Sequence, residues 1–294
     1  MKKQTLFSIF GMVTLISACS LSAGIPVTPT KVDQVGTIVA TTMQALTATP
    51  SENVSTPIPN QNGGTPVSYE NVSFVIPSGI ASSANTETMT SVDTNSGAPW
   101  EIAPTHLRFT LTGYPLQGKF FEPQIYVYPA DEYAQVNSAA SEQIERLKKA
   151  LSGSPLLKET LPNVPFFNAE HIIAASIQLI KFQNGGGVRE LTQYDQYPAP
   201  INNHELFYHF EGLTNDGKYY LIAILPITAP VLAEDEKPES SVPAGGIPIP
   251  PSTGATDVYY FSVTEKLNSL PPDSFTPSLN SLDALIQSIL VKTP

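Results

Sequence analysis

His204, Glu205 and His209 are the residues of this chain whose types come nearest to metal chemistry. A zinc-binding H-E-x-x-H helix needs its two His four residues apart on one helical face. Here they are five apart, and in an extended strand residues 204 and 209 point to opposite faces, so this pair is expected to hold no metal. His106 and His171 stand alone in the sequence. A nucleophilic serine would want a G-x-S-x-G turn, and none occurs; Gly153-Ser154-Pro155 reads as the end of a helix. Asp131-Glu132 falls at a helix start and Glu234-Asp235-Glu236 in a loop, whereas paired catalytic carboxylates need a fixed separation across a cleft. Gly185-Gly186-Gly187 has neither a following helix nor a Lys, which makes it a turn rather than a phosphate cradle. The expectation is no catalytic residue, no cofactor and no metal site.

Binding chemistry has one candidate stretch, residues 193–203, rich in Tyr, Asn and Gln. Tyrosine faces and side-chain amides together can stack on and hydrogen-bond a glycan or an extended peptide, which nominates Tyr194, Tyr197, Asn202 and Asn203. The competing reading is of ordinary strand tyrosines with their hydroxyls at the rim.

Charge and export narrow the partners. Lys2 and Lys3, the apolar run 6–16, then Ser17-Ala18-Cys19 have the order of n-region, h-region and cleavage site, and the h-region is too short to span a bilayer. Ile16-Ser17-Ala18-Cys19 resembles the lipobox of bacterial lipoproteins, which implies diacylation of Cys19 and cleavage just before it. Residues 1–18 are then the signal peptide, and the protein is expected on the extracytoplasmic face of the cell membrane, held by the lipid (palmitate or another acyl chain) on Cys19. Cys19 is the one Cys of 294 residues, so an intramolecular disulfide is impossible and the domain must hold together by its core. Removing Lys2 and Lys3 takes the formal charge from −11 to −13, which disfavours nucleic acid as a partner.

These features need positioning elements. Residues 19–66, rich in Thr, Pro and Ser, read as a disordered tether, with Val32, Val35, Val39, Met43 and Leu46 at helical spacing within it. A single domain is expected over 67–294. Val67, Tyr69, Val72, Phe74 and Ile76 suggest a first strand, and 106–114 and 124–128 two neighbouring antiparallel strands. Tyr133, Val136, Ala140, Ile144, Leu147 and Leu151 form a helical stripe over 131–151, with Asn137 or Ser138 as a possible start of its regular part. Residues 171–195 suggest a hairpin turning at 184–187, although 169–180 could equally form a helix. The central hairpin spans 204–226: alternation sends Leu206, Tyr208 and Phe210 to one face and Phe207, His209 and Glu211 to the other, as in a half-buried strand. Thr214-Asn215-Asp216-Gly217 reverses the chain, and the return strand is apolar on both faces, as in the middle of a covered sheet. Residues 228–256 read as a disordered acidic, Pro-rich insertion. Leu279, Leu282, Leu285, Ile286, Ile289 and Leu290 give a closing helix.

The order of elements implies an α+β domain, an antiparallel β-sheet with packed helices. YENVSFVIPSG, ELFYHFEGLTNDGKYYLIAIL and LDALIQSIL resemble the PsbP-like fold, an α/β/α sandwich of photosystem extrinsic proteins and bacterial lipoproteins. The resemblance implies a binding or assembly role and no shared catalytic motif. The expectation is a membrane-anchored extracytoplasmic lipoprotein with a non-catalytic domain for an envelope protein, glycan or peptide. The alternatives are an extracytoplasmic hydrolase of polysaccharide or peptide, and a solute-capturing lipoprotein.

Overall fold

The computed structural model describes residues 63–237, 239–250 and 256–293, all within one compact unit, Ile58–Pro294. The expected signal peptide, Cys19 and the tether as far as residue 62 lie outside the described residues.

The unit is an α+β domain built on a seven-stranded antiparallel sheet. Its strands are β3 (Ser83–Met89), β4 (His106–Thr112), β5 (Gln124–Pro129), β7 (Ala175–Phe182), β8 (Gly185–Thr192), β10 (Phe207–Thr214) and β11 (Tyr219–Pro226), in the order β3-β4-β5-β11-β10-β8-β7. A three-stranded sheet joins β1 (Thr65–Tyr69), β2 (Val72–Ile76) and β12 (Leu290–Val291), and a short pair joins β6 (Glu170–His171) to β9 (Tyr194–Asp195). β11 takes the middle of the main sheet because its sequence is apolar on both faces: Tyr220 to Leu225 are at most 3 % exposed. Gly217, at φ 72°, supplies the left-handed residue that returns the chain from β10.

Alternation along β10 and β11 divides the core into two layers. On one face Phe109, Leu191, Tyr208, Phe210, Leu221 and Leu225 pack with α3 (Asp257–Asn268), α4 (Leu279–Gln287) and the small sheet. On the other, Tyr128, Phe207, Tyr220, Ile222 and Ile224 pack with α1 (Ala130–Val136) and α2 (Ser138–Leu151) through Tyr133, Ala140, Ile144 and Leu147. Helices therefore cover both faces, and β10 is buried along its whole length rather than half-buried.

Several expected elements differ. The first strand is a hairpin, β1 and β2, which begins at Thr65 and turns at Glu70-Asn71, Glu70 adopting φ 50°. The helix over 131–151 is two helices, the second starting at the Asn137-Ser138 position the sequence offered: Asn137 leaves the helical region (φ −131°, ψ 113°) and its Oδ1 accepts from the Ala140 amide at 3.1 Å as the cap of α2. Its Nδ2 donates to the Ile102 carbonyl at 2.9 Å, so the break is held by tertiary contacts, and Val136 is left exposed. The closing helix stops at Gln287, and Leu290 turns into β12 beside β2.

The segment 169–180 is not a helix but carries β6 and most of β7, broken at 172–174; the reversal after it uses Gln183-Asn184, and Gly185, Gly186 and Gly187 lie inside β8. The reason is close approach. A Cβ on Gly187 would sit 2.1 Å from the Glu211 carbonyl oxygen and 2.5 Å from the Phe210 ring, and Gly212, its register partner, is covered by the same ring. The rings of Phe182 and Phe210, edge to face at 6.3 Å, fill the volume that these glycines leave. The edge strand β3 was not anticipated, since SANTETM carries no apolar stripe; a polar, exposed edge resists pairing with other chains.

Candidate functional site

The densest cluster of ionisable groups lies on the α2 side of the main sheet. β8 presents Glu190 and β10 presents His209 as direct register partners, with Glu211 two residues on along β10 and therefore on the same face. His209 donates from Nδ1 to Glu190 Oε1 and from Nε2 to Glu211 Oε1, each at 3.0 Å. His171 of β6 reaches the second Glu190 oxygen at 3.1 Å through Nε2, and the Tyr220 hydroxyl donates to the second Glu211 oxygen. Tyr194 stacks on His171 at 5.3 Å between ring centroids.

Two carboxylates, one at each ring nitrogen, favour the charged form of His209. An ionised carboxylate only accepts, so a ring with a carboxylate at both nitrogens carries both protons. Burial opposes that charge, but hydrogen bonds and Coulomb attraction from Glu190 and Glu211 outweigh it and hold the His209 pKa up at about 9. For Glu190 burial acts upward, yet His171 and His209 bring it below the usual glutamate value. Burial pushes Glu211 up despite its bonds to His209 and Tyr220.

Glu190, His209 and Glu211 are at most 2 % exposed, and neither of the two pockets described below is lined by any of them. The arrangement is an imidazolium clamped between carboxylates, with its donors and acceptors spent on each other. Such a group ties strands in register and presents nothing to a substrate. Sequence reasoning paired His209 with His204, read His171 as isolated, and did not join Glu190 or Glu211 to either. The available signal was the like parity of 207, 209 and 211, which already put His209 and Glu211 on one face.

Of the four residues nominated in the Tyr194–Asn203 stretch, three, Tyr194, Asn202 and Asn203, have little exposed surface, and Asn203 also stands in the wall of a pocket. Tyr194 is buried, and its hydroxyl accepts from the Val164 amide at 3.1 Å. Asn202 accepts from the His204 and Glu205 amides and donates to Glu205 Oε2 at 3.0 Å. Asn203 accepts from the Ala229 amide at 2.8 Å and donates to the Ala229 and Leu232 carbonyls. These amides satisfy loop backbone that would otherwise be buried unpaired. Tyr197 alone of the four is exposed, at 53 %, with its hydroxyl donating to Glu236. Beside it burial raises Asp195 to about 6 although Gln193 donates to it at 2.7 Å.

The same bonds correct the start of the segment expected to be a disordered insertion over 228–256. Val231, Leu232 and Ala233 are buried, the Asn203 amide donates to the Ala233 carbonyl, and Thr228 bridges to Thr276. A short apolar run, VLA, inside the polar composition anchors residues 228–233 to the domain.

Among the pockets formed by described residues, two have volumes of about 460 Å³ each. One lies outside α2, between Arg146, Lys149, Pro155 and Leu157. The other lies between the loop after β4 and the chain after β11, with Gln117, Lys119, Asn203, Thr228, Glu234 and Thr276 in its wall. Lys119 Nζ is 2.6 Å from Glu234 Oε1, the lysine side chain only 8 % exposed and the glutamate 72 %. Among the described residues no group of three or more His, Cys, Asp or Glu is arranged to hold a metal. No family model matches the chain, and no curated protein matches it.

Proposed function

We propose that this protein is a lipid-anchored extracytoplasmic lipoprotein whose α+β domain binds or scaffolds a partner of the cell envelope and performs no chemistry of its own. The observation that carries the anchoring is the succession of Lys2, Lys3, the apolar run 6–16 and Ile16-Ser17-Ala18-Cys19, in a chain with no other Cys. A thiol that has no disulfide partner within its own chain and stands in that motif is accounted for by acylation. Two acyl chains make a stable anchor where one gives only marginal attachment.

Support for a non-catalytic domain comes from how its interior charges are used. The buried ionisable cluster of His171, Glu190, His209 and Glu211 is closed on itself. The PsbP-like resemblance is part of the same proposal. An antiparallel sheet between helices, opened by the hairpin at 65–76 and closed by α4, agrees with it at the level of architecture. The formal charge of −13 left after loss of Lys2 and Lys3 directs the protein toward neutral or cationic partners rather than nucleic acid.

The test is fractionation. Cys19→Ala, expressed beside the parent in a bacterial host and labelled with a fatty-acid analogue, should lose the label and leave the membrane pellet. Unchanged attachment would reject the anchor.

A further inference from the structure

The pocket bounded by Lys119 and Glu234 has an unequal ion pair at its wall. Lys119 comes from the loop between β4 and β5, and its side chain is 8 % exposed, so the ammonium is fixed by the packing of its stem. Glu234 is 72 % exposed and belongs to the chain after β11, anchored by the three buried residues just before it, Val231 to Ala233. An ammonium has three donors, and one carboxylate oxygen occupies one of them at 2.6 Å. Lys119 is the only cationic side chain in this wall, and the rest is hydroxyl, amide, proline and small apolar: Gln117, Thr228, Ser274, Thr276, Pro115 and Pro230.

We propose that this pocket binds a small ligand carrying one carboxylate on a polar body, with Lys119 as its charge partner and Glu234 as the internal carboxylate that the ligand displaces. The volume, about 460 Å³, fits a sugar acid or the C-terminal end of a short peptide. Exchange of one carboxylate for another keeps the ammonium paired throughout, and the Glu234 carboxylate is 72 % exposed and returns to water when displaced, so the exchange costs little. The hydroxyls of Thr228, Ser274 and Thr276 and the Gln117 amide line the remaining wall and can orient the polar body of the ligand. Glu234 thereby acts as a weak built-in competitor, which makes affinity depend on the segment that carries it.

The inference rests on the proposed role of the domain as a binder and not on the lipid, so it is tested on the full chain in detergent, with and without Cys19→Ala. Calorimetry with glucuronate against glucose, and with acetyl-Ala-Ala against its C-terminal amide, separates the carboxylate requirement from the source of the ligand. At millimolar concentration the carboxylate member of one pair should bind at least about tenfold more tightly than its neutral counterpart, and Lys119→Met should weaken it by a similar factor. Glu234→Gln, on the exposed side, should tighten binding by up to about fivefold. If Lys119→Met melts early, the Glu234→Gln result decides alone: unchanged or weaker binding overturns the proposal. So do equal binding of neutral and charged probes, and no binding of any probe by both the parent and Glu234→Gln.

Discussion

His209 and Glu190 stand directly opposite one another in β10 and β8, imidazole Nδ1 and carboxylate Oε1 3.0 Å apart, while Glu211 holds the other ring nitrogen at the same distance. A cation shared by two buried carboxylates constrains more than energy. Because side chains alternate, a one-residue slip of β10 against β8 would carry His209 and Glu211 into the apolar layer of Tyr208 and Phe210. The network therefore opposes every register but the observed one.

His209→Gln should destabilise the domain by about 3–5 kcal/mol, because it leaves Glu190 and Glu211 buried without their shared cation. Urea denaturation followed by tryptophan or tyrosine signal measures it. Adding Glu190→Gln and Glu211→Gln to that variant should recover part of the loss, since the uncompensated charges then disappear. A single-variant loss below about 1 kcal/mol, the scale of an exposed pair, would contradict the buried imidazolium.

The pH dependence follows with a defined sign. His209 is raised from 6.5 to about 9 by its two carboxylates against the opposing effect of burial, so its stabilisation is complete below 6.5 and lost as pH rises through 9. Glu190 is lowered, so its contribution is present above 4.5 and lost on acidification. Asp195 works in the opposite sense to Glu190: burial raises it to about 6, so its protonation favours the fold as pH falls from 6 toward 3.8. Melting temperature should decline between pH 6.5 and 9, and His209→Gln should flatten that decline. The same slope in parent and variant would assign the loss to other groups.

Gly187→Ala should cost about 1–3 kcal/mol, because its Cβ would meet the backbone of β10 at 2.1 Å, and backbone in mid-sheet cannot move aside cheaply. Gly186→Ala, whose nearest neighbour is at 3.6 Å, should stay within about 0.5 kcal/mol. Thermal melts of the two single variants make the comparison. Equal effects would mean that the glycines serve chain reversal rather than close packing.

Much of the scaffold was legible. The alternation in 204–211 sent the side chains of Phe207 to Glu211 to their correct faces, and the doubly apolar 218–225 identified the central strand of the sheet. What escaped depends on partners distant in sequence. Asn137 breaks a regular apolar stripe because carbonyls 35 and 38 residues earlier accept from its side chain. Ile289 and Leu290 continue the spacing of α4 yet leave it, because β2 offers an edge. The ionic cluster escaped for the same reason: Glu190 precedes His209 by 19 residues, and only the register of β8 against β10 joins them. Tyr194, Asn202 and Asn203 have a composition suited to a binding surface, but composition does not tell a side chain facing solvent from one that satisfies buried loop backbone.

Tyr194→Ala and Tyr197→Ala should separate on that basis. Tyr194 is 5 % exposed and packs against His171, Phe167 and Phe207, so its loss should cost about 3–5 kcal/mol, as for other large core aromatics. Tyr197, exposed, should change stability by no more than about 0.5 kcal/mol. Denaturant midpoints settle it, and similar losses for both would contradict the placement of Tyr197 at the surface.

The anchoring proposal meets its most direct test in mass spectrometry of the N-terminal peptide of the protein recovered from bacterial membranes. The account predicts a mature chain that begins at Cys19, with the thiol carrying a diacylglyceryl group and Lys2 and Lys3 gone. A chain that retains residues 1–18, or begins elsewhere with an unmodified Cys19, would contradict it.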